Sequence, residues 1–261
     1  MSLVPYDSSD TESSEESDAN VKDVPKLPEF FHDLYRKRRK TFDSPIFHEG
    51  RKRTKAHVEG LWAVQIYLDV DFHGPHKQKI EDIIASQSEF RSLFISEYGV
   101  GRNLHLSLSE FFRIASDERK AAFTTWKQEC QRLQQRIIKY TLQDVCLLFN
   151  DEKTRMFIVL KATFENVNLL RKLLEISDKF MKKFEGKELR KDFLPHVSIA
   201  WAHAKQGDFE AWASCDRENL RFIKLETLLK QIQSAMLKSY TSENNSIKML
   251  MGNTVHSVNM Q

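Results

Sequence analysis

No run of about 18 apolar residues occurs anywhere in the 261-residue chain, so nothing in it is long and apolar enough to read as a membrane-spanning helix. Cysteine is scarce. Cys130, Cys146 and Cys215 are odd in number, widely spaced and set in apolar-periodic segments, which excludes a disulfide framework and predicts buried thiols in a reducing compartment. A basic-then-apolar leader is missing too, because the N-terminus opens on acids and serines, and a soluble intracellular protein is expected. Zinc-type spacing is absent: "HGPH", His73 to His76, sets two histidines around Gly-Pro with no matching cysteine or carboxylate set, and reads as a solvated loop. "GVGRN", Gly99 to Asn103, is too short for a phosphate-binding fingerprint and precedes a strand rather than a helix, so it reads as a turn.

What is present is a large share of apolar residues, 41%, enough for a sizeable core. Charge is unevenly distributed. Of 40 bases and 37 acids, residues 1–25 take one and seven, which leaves 39 and 30, a surplus of nine, for the rest. Such a surplus is compatible with a polyanionic partner. The Ser/Asp/Glu-rich start cannot bury enough apolar surface to offset its ordering entropy, so residues 1–25 are expected to be a disordered acidic tail. Residues 26–59 read as a basic linker, with "RKRRK" (Arg36 to Lys40) and "RKRTK" (Arg51 to Lys55) suggesting nuclear import or nucleic-acid contact. A folded domain is expected over residues 60–261.

Hydrophobic periodicity makes that domain α+β. "LWAVQIYLDV" (Leu61 to Val70) reads as a strand, His76 to Phe94 as a helix, "NLHLSLSE" (Asn103 to Glu110) as a strand, and Asp117 to Ile138 as a long helix. A hairpin is predicted from Thr141 to Phe149 and Thr154 to Phe164, then a helix over Asn166 to Phe184, a strand at His196 to Ala202, and a last helix near Glu218 to Leu237. Two apolar runs around Gly252-Asn253 close the chain as a second hairpin. Trp62, Trp126 and Trp201 are expected in the core.

One pattern occurs twice. His105, Leu106, Ser107, Leu108 and His196, Val197, Ser198, Ile199 are both His, aliphatic, Ser, aliphatic. In a strand, positions i and i+2 share a face, so each copy presents a histidine and a serine on one side and aliphatics on the other, with Ser109 continuing the first polar row. Either histidine alone is ordinary on a solvated strand face. Two copies in related halves of the chain fit cleavage of an RNA phosphodiester by its own 2′-hydroxyl, which needs a base for that proton and an acid for the departing 5′-oxygen. The serine hydroxyls can donate to the non-bridging phosphate oxygens, and no metal or other cofactor is required. A serine nucleophile fits less well, because His and Ser at i and i+2 point in parallel.

Paired His-x-Ser motifs followed by apolar residues resemble those of the 2H phosphoesterase superfamily. Within it the chain resembles the Usb family of U6 snRNA 3′-end processing phosphodiesterases, through "HEGRKR", "EGLWAVQIYL", "LHLSLS", "NDEKTRMFIVL", "PHVSIAW" and the terminal "GN" hairpin. The resemblance implies a two-lobed, pseudo-symmetric fold with antiparallel sheets flanking a central cleft and helices outside. It implies a nuclear 3′-to-5′ exoribonuclease that trims the oligouridine end of U6 snRNA and leaves a 2′,3′-cyclic phosphate or a 3′-phosphate. His105 would be the general acid, His196 the general base, and Ser107 and Ser198 the phosphate ligands, in a monomer needing no cofactor and no membrane.

Some of these enzymes place a tyrosine shortly before the second motif, against the terminal nucleotide; "ELRKDFLPHVS" has none, and Phe193 either stacks on a base there or packs in the core. Lys153 and Arg155, in the central hairpin, either steer RNA phosphates or belong to a solvated turn. A 2′,3′-cyclic nucleotide phosphodiesterase and a non-catalytic nucleotide-binding 2H domain are the competing functions.

Overall fold

In the computed structural model, residues 58–96, 98–184, 193–236 and 239–260 are described, so the expected tail and most of the expected linker, with both basic clusters, lie outside the described residues. From Leu61 to Val70 the first strand, β1, buries Val64, Ile66, Leu68 and Val70 on one face, the period-2 signature of a half-buried strand. Helix α1 (Pro75–Ala85) starts with Pro75 in its first turn behind Gly74, and ends at Ser86, whose hydroxyl donates to the Ile83 carbonyl. The single helix expected to run to Phe94 therefore stops early. Phe90 and Phe94 still reach the core, but from the segment around a short strand, β2 (Arg91–Ser92).

Strands β3 (Leu104–Ser107) and β4 (Phe112–Ala115) lie one after the other along β1. Helix α2 (Arg119–Gln131) is shorter than its apolar stripe suggests: Gln134 takes a left-handed φ of 49°, and Ile138 already opens β5 (Ile138–Phe149). Strand β6 (Arg155–Phe164) completes the predicted hairpin. Helix α3 (Val167–Lys182) is capped by Asn166, whose side chain accepts from the Leu169 amide at 3.0 Å, and carries Lys179 and Lys182 in its last turn, where they complement the helix dipole.

The second His-x-Ser copy lies on β7 (His196–His203). Helices α4 (Asp208–Ala213) and α5 (Leu220–Met236) follow, then β8 (Tyr240–Asn244), β9 (Ser246–Met251) and β10 (Thr254–Asn259). The predicted closing hairpin is β9–β10. Gly252 turns it at φ 59°, and a Cβ there would lie 2.2 Å from the Trp62 ring, so both backbone and space demand glycine.

The strands pair in the order β10-β9-β1-β3-β7-β6-β5-β8, with β4 also on β1 and β2 also on β7. The two expected antiparallel sheets are thus joined edge to edge. One lobe is built on β1, β3, β4, β9 and β10, the other on β2, β5, β6, β7 and β8, and the registered pair across the seam is Leu106 with Val197. Helices α2 and α3 pack together, with Phe180 of α3 meeting Phe112 at 5.9 Å, while α1 and α5 pack together against the other lobe. At the seam Leu106 and Val197 are fully buried, each contributing about 1.5–3 kcal/mol of apolar burial. The aliphatics of both motifs therefore hold the lobes together, and the polar residues between them face outward.

Three expectations change in detail. Ser109 is buried and leaves the polar row, because β3 ends at Ser107 and the Ser109 hydroxyl accepts from the Ile66 amide of β1 at 2.8 Å. Trp126 and Trp201 are core residues, but Trp62 is only half-buried, its indole N–H donating to Ser116 at 2.7 Å with the Arg119 guanidinium 4.1 Å above the ring. All three cysteines are free thiols, yet only Cys130 is buried, which pushes its thiol up to about 12; Cys215 is exposed in a left-handed turn after α4.

Candidate active site

The register at the seam sets the geometry of the site. Because Leu106 faces Val197 across antiparallel strands, one step along each strand brings His105 opposite Ser198 and Ser107 opposite His196. The four side chains form a pseudo-twofold square, with each histidine opposite the other motif's serine and the two imidazoles on a diagonal. Side chains directly opposite in such a pair are about 5 Å apart at Cβ and diagonal ones about 7–8 Å, a span that accepts a phosphate group between the rings. His105 is exposed, and Ser107, His196 and Ser198 are half-buried.

The surroundings of the two histidines differ. His196 Nδ1 lies 2.7 Å from the Leu194 carbonyl. A carbonyl only accepts, so Nδ1 carries the proton and Nε2 is left with its lone pair. Burial pushes the His196 pKa below the ordinary histidine value, partly offset by the bond to Leu194. His105 is also lowered, by burial of its flanks and by the nearby His196, while Asp69 acts in the opposite direction. Asp69 is the cross-strand partner of His105 on β1, and its Oδ2 accepts from Lys248 Nζ and, at 3.1 Å, from Asn103 Nδ2. Tyr67 sets its ring edge-on to His105, centroids 5.7 Å apart.

Ser107 is oriented by Gln65, whose side-chain amide donates to Oγ at 2.9 Å. That occupies an acceptor site on the hydroxyl and directs its proton elsewhere, toward the cleft. Gln65 is only 7% exposed, so it is held in place. Beside His196, Lys161 of β6 is the cross-strand partner and adds a cation to the same face. Gln65, Tyr67, Asp69 and Lys248 were missed from sequence. Their signal was the polar face of β1 at every second residue, and the polar position within "IKMLM".

Other candidates fall elsewhere. Arg155 pairs with His203, seven residues along β7 from His196, which puts this hairpin end roughly 20 Å from the histidines. There the Lys153 ammonium sits 3.7 Å over the Phe209 ring. Phe193 is half-buried with its centroid 6.3 Å from the His196 ring. In "HGPH", His76 bonds the Ala235 carbonyl at 3.2 Å and His73 lies 2.9 Å from the Tyr240 hydroxyl. Among the described residues no group of three or more His, Cys, Asp or Glu side chains is placed to hold a metal ion.

Two lobes joined at paired His-x-Ser strands define a 2H phosphoesterase fold. It is shared with solved structures of Kluyveromyces marxianus Usb1: the structure with uridine monophosphate matches with a TM-score of 0.53 at 16% identity, over 76% of this chain and 98% of that one. The chain belongs to the HVSL family, described as an uncharacterised conserved protein, whose model matches residues 25–259. A Schizosaccharomyces pombe protein named U6 snRNA phosphodiesterase 1 is 42% identical over 264 residues, covering 98% of this chain and 97% of the relative. A Dictyostelium discoideum protein of the same name is 27% identical over 78% of this chain and 72% of its own length.

Proposed function

We infer that this protein is a U6 snRNA phosphodiesterase that processes the 3′ end of that RNA. The near full-length similarity to the fission-yeast protein of that name supports the substrate. The diagonal pair of histidines, each beside a serine, carries the chemistry. The reaction is stepwise 3′-to-5′ removal of terminal uridines, and action on U6 snRNA makes the nucleus its site.

His196, with Nε2 unprotonated, takes the proton of the 2′-hydroxyl of the penultimate nucleotide. The 2′-oxygen bonds to phosphorus, the bond from phosphorus to the 5′-oxygen breaks, and His105 gives that oxygen its proton. In the first turnover a nucleoside leaves with a 5′-hydroxyl and the shortened RNA ends in a 2′,3′-cyclic phosphate; each later turnover releases a nucleoside 2′,3′-cyclic phosphate and leaves a new cyclic end. Base and acid on opposite corners suit in-line displacement. Ser107, turned by Gln65, and Ser198 donate to the non-bridging oxygens as charge develops there.

His105→Ala and His196→Ala test the assignment. Each is expected to keep the fold, measured by circular dichroism, and to lower cleavage of a uridine-tailed RNA by at least about 10³-fold. Cleavage at the wild-type rate by either variant would contradict the acid–base pairing of the two histidines.

A further inference from the structure

The pseudo-twofold square treats both histidines alike, so something outside it must decide which one donates a proton. The neighbouring strands are not alike. Opposite His105, β1 supplies the Asp69 carboxylate; opposite His196, β6 supplies the Lys161 ammonium. Asp69 is fixed by two donors from different elements, Lys248 on β9 and Asn103 just before β3, and is itself mostly covered, with a side-chain exposure of 24%.

We propose that Asp69, held by Lys248 and Asn103, is a positioning residue that makes His105 rather than His196 the proton donor. The proposal rests on the phosphodiesterase function above. A carboxylate beside an imidazole favours the protonated ring. His196 has no carboxylate opposite it, and the Leu194 carbonyl holds the proton of its neutral ring on Nδ1, which leaves Nε2 free to accept. Lys248 tempers the effect by neutralising much of the Asp69 charge, so His105 can still release its proton. Among the described residues, the ionisable groups facing His105 are Tyr67 and Asp69 from β1, His196 from β7 and Lys248 from β9 through Asp69. Burial and Asp69 both push the Tyr67 hydroxyl up, so Tyr67 is neutral near pH 7 and adds no charge.

Two variants move the system in opposite directions. In Asp69→Asn, His105 loses its counter-charge, whereas in Lys248→Met the carboxylate acts on His105 undiminished. The readouts are the imidazole NMR titration of the ligand-free protein, with His105 assigned by its loss in His105→Gln, and the pH dependence of kcat/KM on a uridine-tailed RNA. For Asp69→Asn the His105 titration and the alkaline limb move to lower pH while the acid limb stays. Activity at pH 7.5 then falls about tenfold for each pH unit moved. Lys248→Met shifts the same limb upward, and Asp69→Glu restores part of the wild-type position. If Asp69→Asn does not fold, Lys248→Met carries the test alone. An unmoved His105 titration with normal wild-type cleavage overturns the role of Asp69. Absence of RNA cleavage by the wild type overturns the phosphodiesterase function, and the donor role with it.

Discussion

At the scale of single residues, the site depends on pairs of groups that lie next to each other only because of strand register. Burial lowers both histidines, and the nearby His196 lowers His105 further. In the proposed mechanism the base, His196, must be neutral, so activity is lost as pH falls through its pKa. The acid must be protonated, so activity is lost as pH rises through the His105 pKa. Both groups are displaced below histidine's ordinary 6.5, so the bell of kcat/KM against pH should peak on the acid side of neutrality, with both limbs belonging to the coupled pair. A peak above pH 8 would contradict this arrangement. Gln65→Leu should release the Ser107 hydroxyl from its orientation and lower kcat about 10-fold with little change in KM, a milder loss than removing the hydroxyl itself. His105, Ser107, His196 and Ser198 were legible in the sequence because the motif repeats. Their supports were not: Asp69 meets His105 from a distant part of the chain, and nothing local marks the pairing.

At the scale of elements, local pattern served best where one strand or helix could satisfy itself. The β5–β6 hairpin, α3 and the Gly252 turn were all visible as periodicity and turn chemistry. The ends of α1 and α2 were not, because Phe90, Phe94 and Ile138 are apolar for reasons of the sheet rather than the helix. Strand β8, "YTSEN", has no strand pattern and forms because the long β5 offers an open edge. Its Tyr240 hydroxyl donates to the Asp71 carbonyl at 2.6 Å and so ties the edge back to the end of β1. Gly252→Ala should cost about 2 kcal/mol, read as a fall in the thermal midpoint, since it adds a clash with Trp62 to an unfavourable φ. Asp208 is 4% exposed, accepts from the Lys205 amide and from Arg221, and joins α4 to α5; Asp208→Ala should cost about 3 kcal/mol while leaving the seam intact. A stability loss accompanied by an equal loss of specific activity in the folded fraction would show that these elements reach the site after all.

At the scale of the whole molecule, two lobes meet at one registered residue pair, and that seam carries the proposed site. The topology explains why the motif had to occur once in each half, with aliphatics between the polar residues. Phosphate contacts by the proposed site predict that RNA affinity falls as salt rises, with a slope that counts the phosphates contacted. The most direct test of the central claim uses the purified protein in chelator with a uridine-tailed RNA bearing a free 2′,3′-diol, labelled at the 5′ end. The products are treated with phosphatase before and after brief acid. Stepwise shortening from the 3′ end, with termini that resist phosphatase until acid opens them, is the predicted result and identifies attack by the 2′-oxygen. Cleavage that stops in chelator, or that leaves free 3′-hydroxyl ends, would contradict the two-histidine mechanism.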